Sequence, residues 1–442
     1  MENKRTNDLT HIKNKLIINL KRKDSKLIII SENINTNEIK KNLNNISKKD
    51  LICICDILYI VYKKSWKSDK LKEQIKSYLN SLNRIKYLDI CAGAGGIALG
   101  FSNTEKYEPI EFIEIDKNCC NTLIKNGFPD KLINCIDINK IDFTQDKYKN
   151  IDLAVAGSPC QPFSLSGLKK GLKDPRGAVL YSFINMLDLI KCPMFLIENV
   201  EGLIHHEKGK TITLLLNEFK KKGYFVKYKL LNSYDYGVPQ KRKRVFIFGS
   251  RKNNDFKFPS PSTERKNVYD AIYDLENSEE NIITQKYSDQ KEKYFKKIPQ
   301  DGCWKDLSID EQKEYLGKSF DSGGGKRGIL KRLSYDKPSL TILCSPQQKQ
   351  TERCHPVHTR PLTILESARI QTFPDKYKFY GSNNSQYKQI GNAVPVKLAE
   401  VIAESIASYW DINKKLNDTE PDPEPDPEPD PEPDPEPDPE PD

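Results

Sequence analysis

Between Ile85 and Ser250 the chain alternates six short apolar runs, IKYLDI, PIEFIEID, LINCID, DLAVAGS, MFLIEN and RVFIFG, with stretches of helical periodicity, and this alternation leaves few folds open to it. Strands apolar at almost every position are covered on both faces, so strands separated by helices build a parallel or mixed sheet with a helical layer on each side. The first run leads into Asp89-Ile90-Cys91-Ala92-Gly93-Ala94-Gly95-Gly96. Glycines there let the chain turn tightly and bring backbone close to a ligand at the carboxyl end of a strand. Acids end the next two runs, Glu114 and then Asp137 followed by Ile138. Carboxylates so placed can accept hydrogen bonds from a ribose and from an adenine amine. One glycine turn and three strand-end acids fit a nucleoside-containing cofactor, S-adenosylmethionine as well as NAD.

The flanks differ in character. Residues 1–84 are rich in Lys, Asn and Ile and carry two helical patterns, Leu51, Ile54, Leu58 and Val61, then Leu71, Ile75, Leu79 and Leu82. They read as a basic helical extension, either an auxiliary DNA-binding element or a packing module. From about Arg251 to Cys354 the periodicity turns irregular, with many charges and a glycine-rich Asp321–Gly328, as in an inserted binding domain built on loops. Helical patterns return in LTILESARIQTF and VPVKLAEVIAESIASYW.

The end, Glu420 to Asp442, is an uninterrupted Glu-Pro-Asp-Pro repeat with six Glu and six Asp. Proline at every second position removes amide donors and fixes φ, so an extended, disordered acidic arm is expected, a solvated spacer or a DNA mimic. With +9 overall and twelve carboxylates in the tail, the rest of the chain carries +21, an excess that suits a polyanionic partner.

Other classes fit poorly. The opening MENKRTNDLTHIKNKLIINL lacks the layout of a secretory signal, and the run Leu51–Tyr62, broken by Asp56, is too short to cross ~30 Å of hydrocarbon. An intracellular protein without a membrane span is expected. Eleven cysteines, an odd number, then read as reduced thiols. Neither Cys53 with Cys55 nor Cys119 with Cys120 has zinc spacing, and Cys354, His355 and His358 lack a fourth ligand, so no metal is expected.

The deciding segment follows the strand DLAVA: Gly157-Ser158-Pro159-Cys160-Gln161-Pro162-Phe163-Ser164. A cysteine between Pro159 and Gln161 on a loop at a strand end is presented as a nucleophile rather than a core filler. A thiol hydrolase would need a histidine base, and His11, His205, His206, His355 and His358 fall in no such motif. Together with Glu198-Asn199-Val200, Gln240-Lys241-Arg242-Lys243-Arg244 and Gln389-Ile390-Gly391-Asn392-Ala393-Val394-Pro395, in that order, the segment resembles the cytosine-5 DNA methyltransferase family from about Leu88 to Ala403.

That resemblance implies an α/β fold: a Rossmann-like, S-adenosylmethionine-dependent sheet with helices on both faces, a smaller irregular target recognition domain, and the helical N-terminal extension. It divides the chain into 1–84, a catalytic domain 85–253, a recognition domain 254–375, a return to the catalytic domain over 376–416, and the tail 417–442. It implies that the Cys160 thiolate adds to C6 of a cytosine flipped from the duplex, that Glu198 holds or protonates N3 and the exocyclic amine, and that Arg242 and Arg244 point together into the site. Asp89, Ala92, Gly93, Gly95, Gly96, Glu114, Asp137, Ile138, Pro159, Asn392 and Val394 would hold the cofactor. Cys91 and Ile115 stand where family members usually carry Phe and an aromatic beside the adenine.

Gln161, Ser164, Gln240 and Ser166, the last in the loop entering the vacated base position, would contact DNA. Asp174-Pro175-Arg176-Gly177 resembles the hinge of that loop, or is a plain turn. In the insert Arg327, Lys331, Arg332, Gln347, Gln348 and Lys349 are candidates to read base edges. The implied activity is DNA (cytosine-5-)-methyltransferase (EC 2.1.1.37), by a cytoplasmic, nucleoid-associated monomer of a restriction-modification system with a separate cognate endonuclease. The alternatives are a tRNA cytosine-5 methyltransferase and a DNA-binding regulator with an idle catalytic domain.

Overall fold

Seven strands form the central sheet of the computed structural model: β1 (Ile85–Ile90), β2 (Tyr107–Glu114), β3 (Ile133–Cys135), β4 (Leu153–Gly157), β5 (Met194–Val200), β6 (Phe225–Asn232) and β7 (Lys243–Ser250). The structure describes residues 21–23, 26–28, 48, 51–52, 65, 67–82, 84–157, 175–283, 285–321, 328–346, 348 and 352–417. The strand order is β3-β2-β1-β4-β5-β7-β6. The first five strands run parallel, and β7 is antiparallel to both β5 and β6. The sheet is therefore mixed, one of the two forms the alternation allows.

Period-two patterning places successive side chains in two different cores. Tyr87, Val155, Leu196, Phe246 and Phe248 face one layer, in which α2 (Gly96–Asn103) and the long C-terminal α11 (Val396–Asn417) supply Ala98, Phe101, Leu398, Ile402 and Ile406. Leu88, Ala154, Phe195, Ile197 and Ile247 face the other, filled by Leu180, Phe183 and Leu187 of α4 (Pro175–Leu189) and by Ile212, Leu215 and Phe219 of α5 (Lys210–Lys221). α11 thus returns the chain to the sheet after the insert.

The contact of α2 with α11 is close because Gly100 lacks a side chain. A Cβ there would lie 2.6 Å from Ala399 Cβ, 2.6 Å from Val396 O and 2.8 Å from Glu400 N, two of them backbone atoms that cannot swing aside. Gly100→Val is expected to cost roughly 1–3 kcal/mol by overpacking, read as a lower urea midpoint with an unchanged m-value.

The insert is more regular than its sequence suggests. It holds α6 (Val268–Ile272), α7 (Asp289–Phe295) and α8 (Ile309–Leu316), with Asn267, Ser288 and Ser308 as N-caps. Tyr287, Phe295, Ile298, Trp304, Leu316 and Leu330 form its own core. A further cluster, including Leu275, Leu333, Ile342, Ile370, Ile390 and Val396, joins it to α9 (Ile364–Ile370), α10 (Asn383–Asn392) and the start of α11. In the N-terminal extension, α1 (Ser68–Leu82) matches the second helical pattern, and a short hairpin pairs Lys21–Lys23 with Lys26–Ile28, which the sequence reading did not expect. The first pattern lies mostly outside the described residues, as does the tail. Pro175, expected in a hinge or turn, opens α4, a position where its missing N–H costs nothing.

Candidate active site

β1 pairs with β2 on one side and β4 on the other, so the chain leaves it in opposite directions and a crevice opens at the carboxyl ends of these strands. The glycine turn lies in that crevice. Its Gly93 N–H donates to Glu114 Oε2 at 2.7 Å, and Glu114 Oε1 accepts the N–H groups of Ile115 and Asp116 at 2.9 and 2.8 Å. One carboxylate therefore joins the turn to the end of β2 while keeping lone pairs for a ligand hydroxyl. Gly95, at φ +82, is required both by its left-handed backbone and by crowding: a Cβ would lie 2.6 Å from Leu123 Cδ2 and 2.7 Å from Tyr377 Oη. Tyr377 donates to Ala94 O at 2.7 Å, and Gly96 packs on the carbonyl of Val394, so the C-terminal segment closes over the turn.

The remaining cofactor candidates sit around it. Ala92 N–H donates to Ile113 O at 3.2 Å, and Asp137 Oδ1 accepts from Asn139 N–H at 2.9 Å at a turn that buries Ile138. Ile115, beside Glu114, is 68% exposed. Cys91 takes φ +57; burial first, then Glu114, Asp89 and Asp137, pushes its thiol up to about 12. Asn392 is exposed, and its Oδ1 accepts from Cys344 Sγ at 2.9 Å; Val394 is buried.

Asp89 is fully buried, and among the described residues neither carboxylate oxygen has a hydrogen-bond partner. Burial, then the nearby Glu114, holds its carboxyl well above the ordinary carboxylate range. Orphaned acceptors beside an open glycine turn fit a ligand carrying its own donors, such as the ammonium and ribose hydroxyls of S-adenosylmethionine. Because the folded-state titration lies above the unfolded one at about 3.9, the native state holds the extra proton and stability falls as pH rises between the two. Asp89→Asn should therefore melt above the wild type at pH 8 without ligand, the gap closing towards pH 4, and should bind S-adenosylmethionine more weakly. Equal melting at both pH values would contradict the buried unpaired charge.

The other half of the crevice lies where β4 ends. Gly157 pairs in register with Glu198 of β5, so the loop beyond β4 departs beside that carboxylate. Glu198 is buried, with Arg244 Nε 2.9 Å from its Oε1. Burial raises its carboxyl, and Arg244 and then Arg242 oppose the shift. Pro159, Cys160, Gln161, Ser164 and Ser166 lie outside the described residues.

The two arginines do not converge as the sequence reading expects. Arg244 reaches Glu198, whereas Arg242, buried, donates to the carbonyls of Ile342, Gly391 and Asn392 at 3.2, 3.0 and 3.4 Å. It ties the insert and α10 to the strand that carries Arg244. Gln240, expected at the DNA, is fully buried: its Nε2 donates to Gln371 Oε1 at 2.9 Å, its Oε1 accepts Ile342 N–H at 2.9 Å, and Gln371 Nε2 donates to Ile390 O at 2.6 Å. Arg332 is likewise withdrawn from any groove, donating to Phe295 O at 2.7 Å, Ile298 O at 2.8 Å and His355 O at 3.1 Å. Lys331 pairs with Asp301 at 2.7 Å. Arg327, Gln347 and Lys349 are outside the described residues; Gln348 is described and exposed.

Four side chains carry contacts that the sequence does not signal: Gln371, Arg360 and Glu366, paired at 2.8 and 2.7 Å, and Tyr377. The Thr363 to Glu366 capping box was readable, but the long-range partners were not. Among the described residues Glu276, His355 and His358 come close enough to hold a metal ion. The group is poorly made for one: His355 Nδ1 accepts the N–H groups of Val357 and His358 at 3.2 and 3.1 Å, which leaves its proton on Nε2, and Arg332 lies against the same loop.

Sheet order and glycine turn make a Rossmann-like site that fits a nucleoside cofactor, with a buried carboxylate–guanidinium pair beyond it. The C-5 cytosine-specific DNA methylase family matches residues 85–408, and the chain belongs to that family. It is 43% identical to the type II methyltransferase M.Sau96I of Staphylococcus aureus over 72% of this chain and 74% of the relative. It is 41% identical to M.Eco47II of Escherichia coli over 76% and 82%. In fold it resembles the crystal structure of a putative DNA modification methyltransferase of an E. coli prophage, with a TM-score of 0.54 and 22% identity, covering 74% of this chain and 99% of that one. The protein is a DNA (cytosine-5-)-methyltransferase, and the family's methyl donor is S-adenosylmethionine. Among the described residues no helix is long and apolar enough to cross a membrane.

Proposed function

We propose that this protein methylates cytosine within a specific duplex DNA sequence as the modification enzyme of a restriction-modification system, with Cys160 as nucleophile. The observation that carries the residue assignment is the pairing of Arg244 with buried Glu198, opposite Gly157 and three residues before the cysteine. Addition of the Cys160 thiolate to C6 pushes electron density to C5, and Glu198, its proton held more firmly by burial, stabilises the charge at N3 and the amine. Bound S-adenosylmethionine supplies an electrophilic methyl group. Loss of the C5 proton and departure of the thiolate then restore the ring. Arg244 fixes Glu198 in position.

Glu114, Asp137, Asp89, Ala92, Ile138, Pro159, Asn392, Val394 and the turn glycines hold the cofactor in this reading, with Ile115 covering the adenine by apolar contact. Residues 85–253 and 376–416 make the catalytic domain and 254–375 the recognition domain, with 1–84 as extension and 417–442 as tail. Gln161, Ser164, Ser166, Arg327 and Gln347 face DNA. The enzyme works in the cytoplasm as a monomer, beside an endonuclease acting separately, as the type II names of its relatives suggest. Transfer of labelled methyl groups to duplex DNA and to tRNA tests the substrate: we expect incorporation into DNA alone, at cytosines of one short sequence. Labelling of tRNA alone would overturn the reading, and no transfer to either would favour the idle-domain regulator.

A further inference from the structure

The sheet has two edges of unequal length. β3 at one edge has three residues; β6 at the other has eight, and among the described residues no strand pairs with its outer side. An open edge of this length is a template for unwanted pairing unless something covers it. Phe225 and Tyr228 on it are 49% and 43% exposed. Shallow grooves of about 450 and 630 Å³ flank it, the first lined by Lys220, Phe225 and Asn254 among others, the second by Lys208, Lys210 and Tyr228. Among the described residues Lys208, Lys210, Lys220 and Lys229 form no ion pair, while the neighbouring acids Glu218 and Asp188 are already taken by Lys221 and Lys222.

The root of the acidic tail lies beside this edge. Tyr409 of α11 donates to Ser250 Oγ at 2.7 Å, Asn253 Nδ2 donates to Asn413 Oδ1 at 2.7 Å, and Ser250 pairs in register with Phe225, the first residue of β6. α11 ends at Asn417, three residues before the repeat begins. The repeat's 23 residues could span roughly 70 Å extended, against about 27 Å for β6, so length sets no limit.

We propose that the Glu-Pro-Asp-Pro tail, residues 420–442, straps along the free edge of β6, its carboxylates against Lys227 and Lys229 on the α11 side and its proline rings against Tyr228 on the α5 side. In an extended chain alternate residues face opposite ways, so an X-Pro repeat shows acids on one face and prolines on the other. β6 is divided in the same way: Lys227 Nζ reaches Phe256 O at 3.1 Å on the α11 side, and Tyr228 lies in the groove on the α5 side. Alternation also helps the backbone. The N–H groups of Glu and Asp all project to one edge and the missing donors of proline to the other, so the repeat can cap a strand without offering a new edge to a further one. On the outer side of β6 the strap is separated from the end of β4 by β5, β7 and β6 itself.

A carbodiimide, which joins carboxylates to amines already in contact, tests this on the full chain. Tail acids should be linked within one molecule to Lys227 and Lys229, at a yield independent of protein concentration and lost at high salt. Lys229→Glu should lower the linkage to the remaining Lys227 several-fold while methyl transfer is unchanged. Links spread over exposed lysines generally, links centred on Lys241 and Lys243 at the catalytic edge, links only between molecules, or none at all would each overturn the proposal.

Discussion

Cys160→Ser is expected to lower methyl transfer by at least ~10⁴-fold while leaving duplex DNA binding within about threefold of the wild type. The hydroxyl is far less acidic than the thiol, so at neutral pH almost no alkoxide exists to attack C6, and C5 stays too electron-poor to be alkylated. Binding rests on other groups, chiefly lysines and arginines that meet phosphates, and the substitution changes no charge. The two readouts separate chemistry from recognition. A serine variant that lost DNA binding and activity together would point to a collapsed loop instead.

The next largest loss is expected at the buried acid. Glu198→Gln keeps the volume and one acceptor but removes the ionisable proton, so kcat should fall by ~10²–10³-fold with little change in cofactor affinity. Burial has a second consequence. The Glu198 carboxyl titrates above an ordinary glutamate, and Arg244, 2.9 Å away, limits that rise. Because Glu198 acts in its protonated form, Arg244→Met should shift the alkaline limb of the kcat profile to higher pH, the opposing charge alone being lost. A profile unmoved by Arg244→Met, or a Glu198→Gln enzyme with kcat within threefold of the wild type, would remove Glu198 from the proton chemistry.

Local pattern and long-range pairing were not equally legible. The apolar runs around Tyr87, Val155 and Leu196 announced buried strands because period two is written in adjacent residues, and all seven central strands except β6 overlap such runs. The glycine turn and its acids were readable for the same reason. The roles of Gln240, Arg242 and Arg332 were not, since their partners, such as Ile342 for the first two and His355 for the third, are supplied by chain far off or by a loop that the fold folds back. A polar side chain in a DNA-binding protein looks the same in sequence whether it meets phosphate or a buried carbonyl. The insert seemed irregular because its helices are short, yet Ser308 followed three residues later by Glu311 was a readable start signal. β6, with Lys227 and Lys229 at its half-exposed edge, carries too little apolar pattern to stand out.

One experiment reaches the heart of the account: incubation with S-adenosylmethionine and a duplex whose target cytosines carry fluorine at C5, followed by denaturing electrophoresis and peptide mapping. Fluorine cannot leave as a cation, so the attacking atom stays bonded to C6, and the mapped peptide should carry the nucleotide on the sulfur of residue 160. A stable adduct on any other residue, or methylated DNA with no adduct at all, would contradict a mechanism that begins with that thiolate.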